Sequence, residues 1–266
     1  NSKAGIRFAL QLSRQVGSSL IFYHAVEIDR PTRWSDKKFG GYVQSEITHR
    51  KSKLESFISD VYKHARIKPG KYELAVDRVS SIQDAIIDYA VGRKVDFICM
   101  STRGAGRLKR LVGTNTSAVI SNSPVPVMVI PGNYRAKPIN HILYASDLNG
   151  LSGELAKVKK FAASLKAKVT VLHYDYLYQL EEVRAKFNKV AASQSTPGIK
   201  FYLEQFKIEN SLSFHLKNAV KRFNPSIVVL FTKQNRDWFE RLFLSSKSAE
   251  VSFDTKKPLL IFGKKI

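Results

Sequence analysis

The chain carries one design twice. Leu20-Ile21-Phe22-Tyr23-His24 is answered by Val169-Thr170-Val171-Leu172-His173, and Pro126-Val127-Met128-Val129-Ile130 by Pro258-Leu259-Leu260-Ile261-Phe262. A repeat of this length sets the architecture before any local reading does, because both copies must satisfy the same packing. Within each copy, short apolar runs alternate with amphipathic segments, the pattern of βαβ units around a parallel sheet. The expected domains are residues 1–132 and 139–266, and Pro131-Gly132-Asn133-Tyr134-Arg135-Ala136-Lys137-Pro138 reads as the linker between them.

The second copy shows its strands in order. Ile142-Leu143-Tyr144-Ala145 opens it, and Leu151, Leu155, Val158, Ala162 and Leu165 then recur at helical spacing. Val169 to His173, Phe201-Tyr202-Leu203, Ile227-Val228-Val229-Leu230-Phe231 and Leu259 to Phe262 supply the remaining strands, with a helix expected from Leu212 to Phe223. Aligning the copies leaves nothing in the first to match Ile142 through Asn149. The first copy is therefore expected to lack its opening strand, with either upstream residues or a partner supplying an equivalent. Pro126 and Pro258 fall at the last strands, and proline lacks a ladder donor, so both strands are expected at sheet edges.

One segment points to chemistry. Asp96-Phe97-Ile98-Cys99-Met100 is an apolar run, and Ser101 to Thr116 behind it carries Gly104, Gly106 and Gly113 before a helix-like Ser117-Ala118-Val119-Ile120. Strand, glycine-bearing loop and helix start together present backbone N–H groups, hydroxyls and the positive end of a helix dipole to an anion. The same residues also fit a second reading, a tight turn in which glycine is chosen for geometry and Thr114 or Thr116 caps the helix. It is not a Walker A loop, since Val112-Gly113 rather than Gly-Lys precedes Thr114. The GxGxxG dinucleotide fingerprint, a GxSxG elbow and HExxH spacing are also missing.

The segment resembles the nucleotide loop of the universal stress protein (UspA-like) family: Gly, two residues, Gly, nine residues, Gly, then Ser or Thr. Here Ser101 stands at the first glycine, Gly104 and Gly113 at the second and third with eight residues between them, and Thr114 and Thr116 at the hydroxyl positions. Ser2-Lys3-Ala4 near a first helix, His24, Asp96 and the Pro-Val-Pro-Val-Met-Val-Ile-Pro ending add to the likeness. The resemblance implies α/β architecture: two flavodoxin-like, Rossmann-like domains. Each is an open, mostly parallel five-stranded sheet of order 3-2-1-4-5 with helices on both faces, and ligands lie at the carboxyl ends of the strands.

Carried over residue by residue, the resemblance makes Gly104, Gly113, Thr114, Asn115 and Thr116 the phosphate contacts, with Ala25, Met100 and Ser101 lining ribose and adenine. The implied ligand is ATP or another adenine nucleotide, with Mg²⁺ on its phosphates. In the second copy Asp147 is kept, but Gln234 or Asn235 replaces the second glycine and Ser245 the third, while Phe231 and Trp238 add bulk. That loop is read as degenerate and its domain as structural. The expectation is a tandem, cytoplasmic, regulatory stress-response protein with no catalytic residue and at most slow ATP hydrolysis. The last strands are expected to pair within the chain, with homodimerisation as a further step.

Composition narrows the alternatives. A hydrophobic fraction of 44% with 25% charged residues suits a globular chain, and no apolar run reaches the ~18 residues of a membrane span. The net charge of +22 invites a nucleic-acid reading, yet the basic residues spread over both copies without a tail, finger spacing or RNP signature. Cys99 is the single cysteine, set among apolar neighbours, and reads as packing rather than a nucleophile. Two other readings stay open: an interaction protein whose loops have both lost nucleotide, and a non-specific nucleic-acid binder supported by charge alone.

Overall fold

A computed structural model describes residues 2–102, 114–177, 179–233 and 257–264. In chain order the first half holds α1 (Lys3–Val16), β1 (Leu20–Val26), α2 (Asp36–Ala65), β2 (Tyr72–Arg78), α3 (Ile82–Gly92), β3 (Ile98–Ser101), α4 (Thr114–Asn122) and β4 (Val127–Ile130). The second half follows with β5 (His141–Ala145), α5 (Leu151–Leu165), β6 (Lys168–Asp175), α6 (Glu181–Gln194), β7 (Ile199–Gln205), α7 (Leu212–Phe223), β8 (Ile227–Lys233) and β9 (Leu259–Lys264). The repeat extends to the helix ends. α1 stops at Gly17 (φ 71°) and α5 at Lys166 (φ 52°), both left-handed, and a strand begins shortly after each.

The second half is a complete parallel sheet of order β9-β8-β5-β6-β7, which is the expected 3-2-1-4-5 arrangement read from its other edge. β5 lies at its centre, and Ile142, Leu143 and Tyr144 are fully buried there. A strand covered on both faces must be apolar along its whole length, which is why this stretch shows no alternation.

The first half differs. β1 and β2 form a separate parallel pair, and β3 and β4 join the second half's sheet, giving seven strands in the order β3-β4-β9-β8-β5-β6-β7. Among the described residues no strand corresponds to β5, so the backbone of β1 shares no ladder with β3 and the four strands divide two and two.

β4 runs antiparallel to β9, with Val127 opposite Ile261, Met128 opposite Leu260 and Val129 opposite Leu259. Neither strand is therefore an edge, contrary to the expectation from their prolines. Each proline sits just before its strand and contributes only its carbonyl, Pro126 accepting from Ile98 N–H at 2.9 Å and Pro258 from Val228 N–H at 3.0 Å. Their missing N–H groups interrupt no ladder bond at that position.

This junction makes the core continuous. One buried cluster unites Ala4 and Phe8 of α1, Met128 and Ile130 of β4, Tyr144 of β5 and Leu155 and Val158 of α5. The opposite face buries Val119 and Ile120 of α4 together with Leu143, Leu216 and Val228. A smaller cluster under β1 and β2 gathers Leu10, Phe22, Ile58, Val61 and Tyr62.

The linker is tied into this body. Tyr134 is buried edge-on against Phe8, 5.5 Å between ring centres. The Gln15 amide donates to Ile139 O at 2.7 Å and accepts from Ile139 N–H at 3.0 Å. It also reaches Leu165 O at 3.3 Å, so one side chain of α1 holds both the linker and the end of α5.

Candidate functional site

β3 ends where the glycine segment begins in sequence, and β1 lies across a cavity from β3. Ala25 lies in β1, Met100 and Ser101 close β3, and Thr114, Asn115 and Thr116 form the first turn of α4. Gly104 and Gly113 lie outside the described residues, as do Gln234, Asn235, Trp238 and Ser245 of the second half. The strand end and the helix start are thus both present, and α4 opens with N–H groups that have no partner inside the helix.

Ser101 has a part that its place in the sequence motif did not suggest. Its Oγ accepts from Gly5 N–H at 2.7 Å and donates to Ser2 O at 3.3 Å. The hydroxyl is used to fasten the end of β3 to the first turn of α1. Gly5 makes this approach feasible, because a Cβ there would stand 2.6 Å from Ser101 Oγ and 3.3 Å from Ser101 N. Sequence reading passed over Gly5, whose signal is a glycine in the first turn of an otherwise good helix, where it is disfavoured unless something approaches closely.

The other candidates divide by exposure. Met100 is half-buried and lines a cavity with Ser101, Cys99, His24 and Gly5. Thr116 is buried, so its contribution to a ligand would be its backbone N–H rather than its hydroxyl. Burial, followed by the neighbouring Arg50, lowers the pKa of His24 and favours neutral imidazole.

Burial also pushes the Cys99 thiol up to about 12, and its Sγ lies 3.6 Å from Gly5 O as a weak donor. Thiolate is the reactive form, so Cys99 is expected to be a poor nucleophile. Part of the deficit is offset by the greater intrinsic nucleophilicity of a high-pKa thiol. Alkylation by iodoacetamide at pH 8 is expected to run at least about tenfold slower in the folded chain than in the urea-unfolded chain. Equal rates, followed by mass spectrometry, would contradict the assignment of Cys99 as a half-buried, weakly ionised thiol.

The corresponding corner of the second half is filled. Phe231, within β8, stacks on Phe262 with centroids 4.8 Å apart and meets Tyr144 edge-on at 5.5 Å. Lys157 Nζ lies 5.8 Å from the Phe231 ring centre. The Tyr144 hydroxyl contacts the buried Glu154 carboxylate and Ser146 Oγ; burial first, then the bond to Glu154, raises its pKa. His173 Nδ1 is 2.9 Å from Ser146 O. Asp147 accepts from Asn149 N–H at 2.9 Å, closing the turn after β5. Matching the β3–β4 and β8–β9 registers places Phe231 where Ser101 stands in the first half.

Comparison with known proteins links the first half to a family. A profile of the universal stress protein family matches residues 1–131. Those residues belong to the universal stress protein family. The fold of the whole chain is also the universal stress protein fold. A universal stress protein from Archaeoglobus fulgidus superposes with a TM-score of 0.65 at 16% identity, covering 97% of this chain and 90% of that one. A putative universal stress protein from Pseudomonas aeruginosa gives a TM-score of 0.53 at 16% identity, covering 96% and 95%. No curated protein sequence matches the chain. The match of residues 1–131 to the universal stress protein family supports a stress-response role. No described helix is long and apolar enough to cross a membrane.

Proposed function

We propose that this protein is a tandem universal stress protein of the cytoplasm. In this reading the first half binds ATP or a related adenine nucleotide, and the second half is a structural companion. The observation that carries the reading is the contrast at one repeated position. The first half ends β3 in the small Ser101, behind which a glycine-bearing segment leads into the first turn of α4; the second half puts Phe231 there, stacked on Phe262. Backbone can come close to phosphate in the first arrangement, whereas aromatic volume takes the space in the second.

The residues fit such a ligand to different degrees. The first-turn N–H groups of Thr114, Asn115 and Thr116 suit phosphate oxygens, and Met100 offers an apolar wall for a base or sugar. Ser101 suits the site only through its backbone, because its hydroxyl is engaged with Gly5 and Ser2. Bound nucleotide would bring phosphate oxygens to which Mg²⁺ can bind, and the chain's part is positioning. Positioning alone gives little acceleration of hydrolysis, so the proposed role is occupancy-dependent regulation rather than turnover.

Calorimetry with ATP and Mg²⁺ tests the reading. Gly113→Val is expected to abolish heat of binding while the circular dichroism and melting temperature stay close to those of the parent, since a branched side chain would stand in the path of the phosphates. Unchanged affinity in the folded variant would remove the glycine segment from the site.

A further inference from the structure

Among the described residues six large apolar side chains are exposed, and four of them belong to two adjoining loops: Tyr176, Leu177 and Leu180 after β6, and Ile208 after β7. β6 and β7 are paired to their ends, Asp175 opposite Gln205, so the two loops leave the sheet side by side. Tyr176 lies against Phe206 with ring centres 4.7 Å apart. Phe206 is held from the side of α7 by His215, 4.6 Å between ring centres, and Lys207 N–H donates to His215 Nε2 at 3.2 Å. Leu180 N–H donates to Leu177 O at 2.9 Å. The patch is thus shaped in advance, and a partner would not have to order it. Single exposed apolar side chains need no explanation, whereas a contiguous group of them marks a contact surface.

The charge around the patch selects the partner. Glu181, Glu182 and Glu209 are exposed beside it, against Lys207 and Arg184, a local excess of acid in a chain of net charge +22. A fifth exposed apolar side chain, Tyr42, stands in surroundings of the opposite sign. It meets Trp34 edge-on at 5.2 Å near the start of α2, and Lys38 Nζ lies 4.6 Å from the Trp34 ring centre. Arg33, Lys37 and Lys38 are exposed there, while Asp36 is paired with Arg30. The second half therefore carries an acidic apolar patch and the first half a basic aromatic one.

We propose that these two patches bind each other between copies of this chain, the loops after β6 and β7 of one molecule seating the start of α2 of the next. Within one chain they stand apart. β7 and β3 are opposite edges of the seven-stranded sheet, six strand spacings or about 29 Å from each other, and β1 and β2 lie beyond β3 across the cavity. Pairing like patches across a two-fold axis would set Glu181 and Glu182 against their own copies, or Lys37 and Lys38 against theirs, which costs free energy. Unlike patches avoid this, so the contact is head to tail. Such a contact leaves one patch of each kind open at the ends, and copies add in rows or rings rather than stopping at a pair.

Sedimentation equilibrium of the whole chain tests this at about 0.15 M salt, where repulsion between chains of net charge +22 is screened beyond about 8 Å. Mean mass is expected to climb with protein concentration past that of a dimer. Two variants block one patch each: Leu177→Lys with Ile208→Lys, and Lys37→Glu with Lys38→Glu. All four positions are exposed, so melting temperatures should stay close to that of the parent. Each variant alone is expected to associate at least about tenfold more weakly than the parent. Mixed in equal amounts, they should form a one-to-one dimer and nothing larger, since one supplies the intact basic patch and the other the intact acidic patch. A parent that stays monomeric up to about 1 mM, or a mixture that stays monomeric, would overturn the head-to-tail contact. Self-association of both variants as strong as that of the parent would place the interface elsewhere and overturn it as well.

Discussion

Leu260→Ala is expected to lower the stability of the entire seven-stranded body by about 2–5 kcal/mol. Leu260 is fully buried on β9, opposite Met128 of the first half and Val229 of the second. Truncation removes apolar contact and leaves a cavity shared by both halves, so both should register it. Urea unfolding followed by tryptophan fluorescence and by circular dichroism is expected to shift together. Leu260→Met, which conserves volume, should cost less than about 1.5 kcal/mol. If Leu260→Ala moved one transition and left a second untouched, the continuous core would be wrong.

Gly5→Ala carries the second large effect, and its sign opposes simple helix propensity. In a free helix the change would stabilise by up to about 1 kcal/mol. Here the new Cβ would stand 2.6 Å from Ser101 Oγ, and the short serine side chain has little room to move without losing its bond to Gly5 N–H. Overpacking costs about 1–3 kcal/mol, and the lost hydrogen bond about 1 more. A net loss of about 1–3 kcal/mol is therefore expected after propensity is offset. Ser101→Ala in the same chain should recover much of it, giving a coupling of about 1 kcal/mol or more in a double-mutant cycle. Additive single effects would show that the two residues do not meet.

Much of the second half could be read from its residues because its strands are covered on both sides. Ile142 to Ala145 and Ile227 to Phe231 are apolar without interruption, and Leu151 to Leu165 repeats at helical spacing because one face of α5 lies on the sheet. That no described strand of the first half matches β5 was legible too, from the repeat. Its consequence was not. That β3 and β4 would attach to the other half while β1 and β2 stood apart depends on which backbone edges find partners, and no local pattern records that. The prolines misled for a related reason: they mark where a strand begins, whereas an edge is decided by what lies beside it.

The site was legible only as a type. Glycines and threonines behind an apolar run announce a close-approach turn, but they do not say whether Ser101 spends its hydroxyl on a ligand or on Gly5 N–H. Gly5 is far from Ser101 in sequence, and only the fold brings the two together. The filling of the second half's corner was partly visible in Phe231, while its stack on Phe262 required the neighbouring strand β9.

The antiparallel join of β4 to β9 sets the two halves head to tail. Strands of the first half that belong to the common sheet end at one pole of the molecule, and those of the second half end at the other. At the Ser101 pole the first half's strands of the common sheet end and the second half's begin, and at the Phe231 pole the reverse holds. The two poles are therefore unlike, and what joins them across the sheet is the packed row where Met128 and Leu260 lie opposite each other.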